Sequence, residues 1–320
     1  MSKRKRKLKI QTNNKQYSLS DSCFYKLQSK YKLAKLLKSN PVELKQLTND
    51  SNYNCYTDSS GGKARDIEQP YAPLDKVQTR IASLICRVEQ PDYIHSGIKN
   101  RSHVTNAKVH VGNHPVLTSD IQSFYPNTSR KMVFNFFNRV LLCSPDVSNL
   151  LADLCIVKGH IPTGSRISMP LAFWANKPMF DSLYAISRKR NINFTVFVDD
   201  VAFSGNAIDP QFIHTVKSII ESHGHLAHPR KTKFYPAGKT KVITGVAVDD
   251  NKTLVTNKHH KNIYQDLVQY VAMDMVGLSL PELNSRLIGK VSAQSLIDKR
   301  FKDKARTLKD SMKKQTKQLL

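Results

Sequence analysis

The sequence predicts an α+β fold with a basic, all-helical C-terminal appendage. Three observations predict it. Short apolar runs flank acidic turns at Asp199-Asp200 and at Asp249-Asp250, as in β-hairpins. Segments such as Pro210 to His223 carry apolar residues at helical spacing. The residues beyond Val255 read as helix alone, rich in Lys and Arg. The 320 residues suffice for one large domain or two to three small ones, and 40% hydrophobic with 8% aromatic content suits a packed core. No internal repeat is present.

In chain order, residues 20–38 are expected as a basic helix with Phe24, Leu27 and Tyr31 on one face. Residues 48–62, rich in Asn, Asp, Ser and Gly, are expected as a loop. Asp75 is expected to cap a helix carrying Val77, Ile81, Leu84, Ile85 and Val88. Val116 and Leu117 lead into Asp120 as a short strand, and a helix covers 129–142. A longer helical region follows Gly164, interrupted near Pro178. Phe194–Phe197 and Val201–Phe203 form a hairpin around Asp199-Asp200. A helix over 210–223 buries Phe212, Ile213, Val216, Ile219 and Ile220. Val242–Val248 and Thr253–Val255 form a second hairpin. From Arg286 onward 11 Lys or Arg face three Asp.

Fifty Lys and Arg against 25 Asp and Glu give a formal net charge of +25. Such an excess repels itself and calls for a polyanion, nucleic acid first and an anionic membrane surface second. No apolar run reaches the roughly 18 residues of a membrane-spanning helix. The start, MSKRKRKLKIQTNNKQ, has no apolar stretch behind it and is not a secretory signal. It reads as a solvated tail or as a basic arm on a phosphate backbone. Cys23, Cys55, Cys86, Cys143 and Cys155 are odd in number and scattered, which argues against a disulfide framework or a zinc site and fits a reducing cytoplasm.

In FTVFVDDVAFSG, residues 194–205, two adjacent carboxylates sit between apolar strands. Their repulsion is relieved by a cation, or the turn is an ordinary exposed one; taken alone the pair does not decide. In LTSDIQSFYPN, residues 117–127, Asp120 ends an apolar strand just ahead of Phe124-Tyr125. One carboxylate from a strand end and two from a hairpin can converge on two divalent cations, which take hard oxygen ligands. Such a pair activates an attacking hydroxyl and stabilises a leaving pyrophosphate.

These residues resemble the reverse transcriptases. Asp120 with Phe124-Tyr125 resembles their first catalytic motif, and Phe197-Val198-Asp199-Asp200 their tyrosine-x-Asp-Asp box, with Phe for the usual tyrosine. Ile161-Pro162-Thr163-Gly164 resembles the family's Leu-Pro-Gln-Gly turn, with Thr163 where glutamine is usual. Arg230-Lys231-Thr232-Lys233 resembles its later lysine motif, and Gly62 to Ile67 its fingers strand. Asn106-Ala107-Lys108-Val109-His110 and Ile243-Thr244-Gly245 resemble the Asn-Ala-x-x-His and Val-Thr-Gly patterns of retron enzymes. The resemblance covers about residues 60 to 250.

The resemblance implies a right-hand polymerase. It has a basic helical extension over 1–50, fingers and an antiparallel-sheet palm over 51–245, and a helical thumb over 246–320. It implies two Mg²⁺ ions on Asp120, the carbonyl of Ile121, Asp199 and Asp200. Lys63 or Arg65, Lys231 and the Thr163-Gly164 turn would meet the nucleotide. Tyr125 would pack under the incoming sugar and reject a 2′-hydroxyl. Asn106, His110, Ile243, Thr244 and Gly245 would serve recognition of retron-type RNA. His110 itself reads as a structural donor and is assigned no metal, and Trp174 reads as core.

The implied partners are a cognate non-coding RNA as template and primer, deoxynucleoside triphosphates, the RNA–DNA duplex product and an effector protein; no membrane partner is implied. The basic residues from Lys299 to Arg306, with Lys309, Lys313, Lys314 and Lys317, would grip phosphates or form a solvated charged helix. The implied reaction is reverse transcription of that RNA, primed from a guanosine 2′-hydroxyl, giving branched RNA-linked single-stranded DNA in anti-phage defence. Two other readings stand beside it: another bacterial reverse transcriptase of intron-derived or abortive-infection type, and a catalytically silent RNA-binding protein on a polymerase scaffold.

Overall fold

The structure is a computed structural model that describes residues 8–60, 62, 64–275 and 280–318, with the backbone alone for 274 and 313–318. Its elements run α1 (Lys30–Leu37), α2 (Pro41–Gln46), β1 (Tyr53–Asp58), β2 (Arg65–Pro70), α3 (Ala72–Ile85), α4 (His103–Lys108) and β3 (Val116–Asp120). Then come α5 (Phe124–Asn127), α6 (Arg130–Asn135) with a π-helical turn over Phe136–Val140, α7 (Pro145–Cys155), α8 (Ser168–Ala175) and α9 (Lys177–Lys189). The hairpin of β4 (Asn193–Phe197) and β5 (Asp200–Ser204) follows, then α10 (Pro210–Ser222) and β6 (Lys233–Tyr235). β7 (Lys241–Ile243), β8 (Val246–Val248), β9 (Thr253–Leu254), α11 (Asn257–Met275), α12 (Pro281–Gln294) and α13 (Arg300–Gln318) complete the chain. This mixture of helices and antiparallel strands is the α+β class expected from the sequence.

The chain packs as two compact units. The first comprises Met1–Tyr93, Asp120–Ile186 and Gln211–Pro229. It is mainly helical, with the β1–β2 ribbon paired antiparallel from Tyr53↔Pro70 to Asp58↔Arg65. Its core is aromatic: Phe136 stacks on Trp174 at 5.6 Å between centroids, and Phe24 meets Phe137 edge-on at 6.2 Å. Trp174 is buried, as expected of a core residue. The second unit comprises Ile94–Ser119, Ser187–Pro210 and Arg230–Leu320. It holds a sheet of order β4-β5-β3-β6 and a meander of order β7-β8-β9. The C-terminal helices bury Tyr270, Leu283, Leu287, Val291, Phe301 and Ala305 among themselves. On α13 Phe301, Ala305 and Met312 face inward while Lys302, Lys304, Arg306 and Lys309 stay exposed, so its charged residues form one solvated face.

Four local expectations give way. The helix over 20–38 shrinks to α1, because Lys26 takes a left-handed φ of 54° and Ser29 caps Lys32 N–H; Tyr31 is 78% exposed. The loop over 48–62 contains β1, a strand exposed along most of its length that therefore shows no apolar alternation. α3 begins earlier than Asp75, and Asp75 instead holds Arg166 with Oδ1 2.6 Å from Nη1. Val242–Val248 is two strands, β7 and β8, joined by a tight turn at Thr244-Gly245. Both turn residues have positive φ, 46° and 79°, the pairing that a type I′ hairpin requires. Among the described residues no helix is long and apolar enough to cross a membrane.

Candidate nucleotidyl-transfer site

The Asp-Asp turn sits at the tip of the second unit's hairpin. β4 and β5 pair from Asn193↔Ser204 to Phe197↔Asp200, leaving Val198 and Asp199 as the two turn residues. Val198 has φ 62°. A β-branched residue in the left-handed region is strained, and such strain persists where surroundings hold it. One support is Ser96, whose hydroxyl accepts the Val198 N–H at 3.0 Å. Ser96 itself follows a parallel bridge of Ile94 to Val196 and a bond from His95 N–H to the Val196 carbonyl. Phe197 turns its ring edge-on to His103 at 6.5 Å.

β5 is flanked by β3 in the same sheet. The Gly205 N–H donates to the Pro115 carbonyl at 3.1 Å, so the end of β5 lies beside the start of β3. The two strands therefore run antiparallel, and β5 opens, with Asp200, at the edge where β3 closes. Asp120 is the closing residue of β3 and is 7% exposed; Asp199 and Asp200 are half-buried.

His110 explains how the hairpin keeps its register. It is wholly buried, with Nδ1 2.7 Å from Ser204 Oγ on β5 and Nε2 2.7 Å from Thr195 Oγ1 on β4. Burial pushes the imidazole down to about 3, so it is neutral, donating from one nitrogen and accepting at the other. The ring is enclosed, so it acts only through the hairpin it holds.

Asn106 and Thr244 belong to short motifs far apart in sequence, yet they meet. Asn106 Nδ2 donates to Thr244 Oγ1 at 3.5 Å, and Thr244 Oγ1 donates to the His103 carbonyl at 3.0 Å. This ties α4 to the strained Thr244 of the β7–β8 turn. A pocket of about 250 Å³ in this unit is lined by Asn106, Asp200, Lys231, Ile243, Thr244 and Gly245, with Arg230 and Lys233 beside them. Lys231 is exposed there. Asn106 is 1% exposed, and its Oδ1 has no hydrogen-bond partner.

The first unit carries Asp120 and the other expected residues. Ile121 is buried and bridges antiparallel to Ala227. That ladder uses the Asp120 carbonyl, which accepts from His228 N–H, and the Gln122 N–H, which donates to Leu226. By the alternation of such ladders, the Ile121 carbonyl is directed to the other side. Tyr125 is half-buried in α5, its ring 5.8 Å from that of Phe124. The Ile161–Gly164 turn lies against β2: Thr163 Oγ1 donates to the Asp66 carbonyl at 2.5 Å, and Thr163 N–H to Glu68 at 3.3 Å. A Cβ on Gly164 would stand 2.8 Å from the Glu68 carbonyl oxygen, so only glycine permits this approach. Arg65 is exposed at the start of β2, and Lys63 lies outside the described residues. Ser96, Glu68 and His160, whose Nε2 is 3.1 Å from Glu68 Oε1, were not singled out from sequence.

Among the described residues no three His, Cys, Asp or Glu side chains are clustered closely enough to enclose a metal ion. The donor set still suits Mg²⁺, which binds through one or two carboxylates and completes its shell with water and substrate phosphate.

No family model matches the chain. It is 30% identical to the retron Se72 reverse transcriptase of Salmonella heidelberg (strain 579083-10), over 45% of this chain and 38% of that protein. It is 23% identical to the retron Ec86 reverse transcriptase of Escherichia coli, over 68% of this chain and 69% of that one. Among solved structures, a foamy viral protease-reverse transcriptase in complex with RNA/DNA hybrid matches with a TM-score of 0.48 and 13% identity, over 80% of this chain and 30% of that one. The match to the Se72 protein thus spans well under half of its length. The chain is thus similar, over part of its length, to proteins named as retron reverse transcriptases.

Proposed function

We propose that the chain is an RNA-directed DNA polymerase that copies a cognate structured non-coding RNA. The observation that carries this reading is the hairpin tip, an Asp-Asp turn on a strained valine. A two-residue hairpin turn calls for positive φ at its first central position, but glycine or asparagine ordinarily fills it; a β-branched valine there is strained. The relationship to proteins named as retron reverse transcriptases supports the same reading.

In the proposed reaction a primer hydroxyl attacks the α-phosphate of a deoxynucleoside triphosphate, and pyrophosphate leaves. Asp120, the Ile121 carbonyl, Asp199 and Asp200 would hold two Mg²⁺ ions, whose charge stabilises the attacking oxygen and the leaving group. Lys231, exposed in the pocket that Asp200 lines, meets the triphosphate. Arg65 or Lys63 pairs with its phosphates. Tyr125 packs under the sugar and rejects a 2′-hydroxyl. The Thr163-Gly164 turn bears on the nucleotide and the templating base. The exposed Lys and Arg of α13 grip phosphates without reading sequence. Asn106, His110 and the Ile243–Gly245 turn serve retron-type RNA recognition, His110 through the hairpin it holds.

The first hydroxyl is a guanosine 2′-OH of the partner RNA, the product is branched RNA-linked single-stranded DNA, and the system serves anti-phage defence with a separate effector. These finer points rest on the likeness to retron enzymes. Co-expression with the flanking DNA tests them, with RNA-linked single-stranded DNA as the expected product. Its absence, with synthesis on generic primed RNA retained, would overturn the retron reading and leave the polymerase. Asp199→Asn with Asp200→Asn is expected to abolish synthesis and leave RNA binding intact; retained synthesis would overturn the site.

A further inference from the structure

A larger cavity, of about 1080 Å³, lies wholly within the first unit. Residues 8–13, the end of α1, α2 and one face of α3 enclose it. Its lining carries Lys9, Lys38, Lys76, Arg80 and Arg87 against the single carboxylate of Glu43, among the described residues. None of these has a role in the reaction proposed above.

Arg87 makes the cavity more than a charged surface. It is 8% exposed: one Nη donates to the Gln11 carbonyl at a long 3.4 Å, the side chain also hydrogen-bonds Tyr17, and the buried Nε has no partner. A buried guanidinium charge with no carboxylate beside it is costly, and an anion in the cavity would offset that charge. Arg80 is committed on one side, its Nε donating to the Leu36 carbonyl at 3.1 Å, which holds its position along the wall. Lys9, Lys38 and Lys76 are exposed at the lining.

We propose that this cavity binds the phosphodiester backbone of a short stretch of RNA strand, with Lys9, Lys38, Lys76 and Arg80 at its lining meeting the phosphates. Size and lining favour a strand over a mononucleotide. The volume lies above the roughly 300–1,000 Å³ of small-molecule pockets. No aromatic ring lines it, so it offers no stacking platform for a base, and its cations are spread over three segments of chain rather than gathered on one phosphate. Backbone contacts of this kind hold RNA in place without reading its sequence.

The test uses the full chain carrying Lys38→Glu and Lys76→Glu, both exposed positions. Fluorescence anisotropy of a labelled oligouridylate of about 20 nucleotides is expected to show at least tenfold weaker binding, and a log K against log salt slope shallower by about 1.4, for two single-strand phosphate contacts. A fluorescent ATP analogue is expected to bind as to wild type, and incorporation on a pre-formed primer–template at saturating concentration to be unchanged. Wild-type RNA affinity and slope in the variant would overturn the proposal. Weakened binding of the ATP analogue alone would overturn the strand in favour of a mononucleotide. Because Asp199 and Asp200 are untouched, this result is distinguishable from failure of the polymerase reading.

Discussion

Replacing His110 by leucine tests how the Asp-Asp hairpin is held. The ring's two nitrogens each lie 2.7 Å from a hydroxyl, Ser204 on β5 and Thr195 on β4, and all three residues are buried. Leucine fills much of the space and satisfies neither hydroxyl. A buried polar group left without its partner costs about 1–3 kcal/mol, so His110→Leu should cost about 2–6 kcal/mol. Replacing both sides by apolar groups avoids that penalty: His110→Leu with Thr195→Val and Ser204→Ala should recover more than half of the loss. Urea unfolding followed by far-ultraviolet circular dichroism measures both. The single tryptophan, Trp174, lies in the other unit, so its fluorescence serves as a control. Synthesis should fall with His110→Leu, because Asp199 and Asp200 ride on the two strands. A single-variant cost below about 0.5 kcal/mol, or a triple variant no better than the single one, would refute the reasoning.

Stability should decline below neutral pH. Burial pushes His110 down to about 3 and His225 to about 4, while both titrate near 6.5 when unfolded. The unfolded chain therefore takes up protons first, and each group removes about 2 kcal/mol of stability between pH 7 and pH 5; a urea midpoint unchanged over that range would exclude this. Gly164→Ala should cost about 1–3 kcal/mol, since the new Cβ meets backbone at 2.8 Å rather than a movable side chain; an unchanged melting temperature would refute it. Ser96→Ala removes the acceptor of the Val198 N–H and should lower kcat with little change in the KM for primer–template, and Ser96→Thr should restore it. Equal loss in both variants would show that the hydroxyl is not what holds the turn.

Much was legible because it is local. The β4–β5 hairpin followed from two apolar runs around an acidic turn, and α10 from apolar residues at helical spacing. The errors have local causes too. β1 is exposed on both faces and so lacks alternation, and the apolar run 242–248 hides a turn that only the positive φ of Thr244 and Gly245 reveals.

The sequence by itself determined the α+β class, the basic charge and the identity of Asp120, Asp199 and Asp200 as the candidate carboxylates, because period, composition and motif order are properties of neighbours in the chain. Tertiary structure alone decided what holds them. Asn106 finds Thr244 across 138 positions, and His110 finds Ser204 and Thr195 across 94 and 85. Ser96 reaches Val198, and Arg87 is buried beside a basic cavity with its Nε unpartnered, for the same reason. Hydrogen bonds between residues so far apart leave no periodicity to read; they exist only once the strands and helices have closed around them.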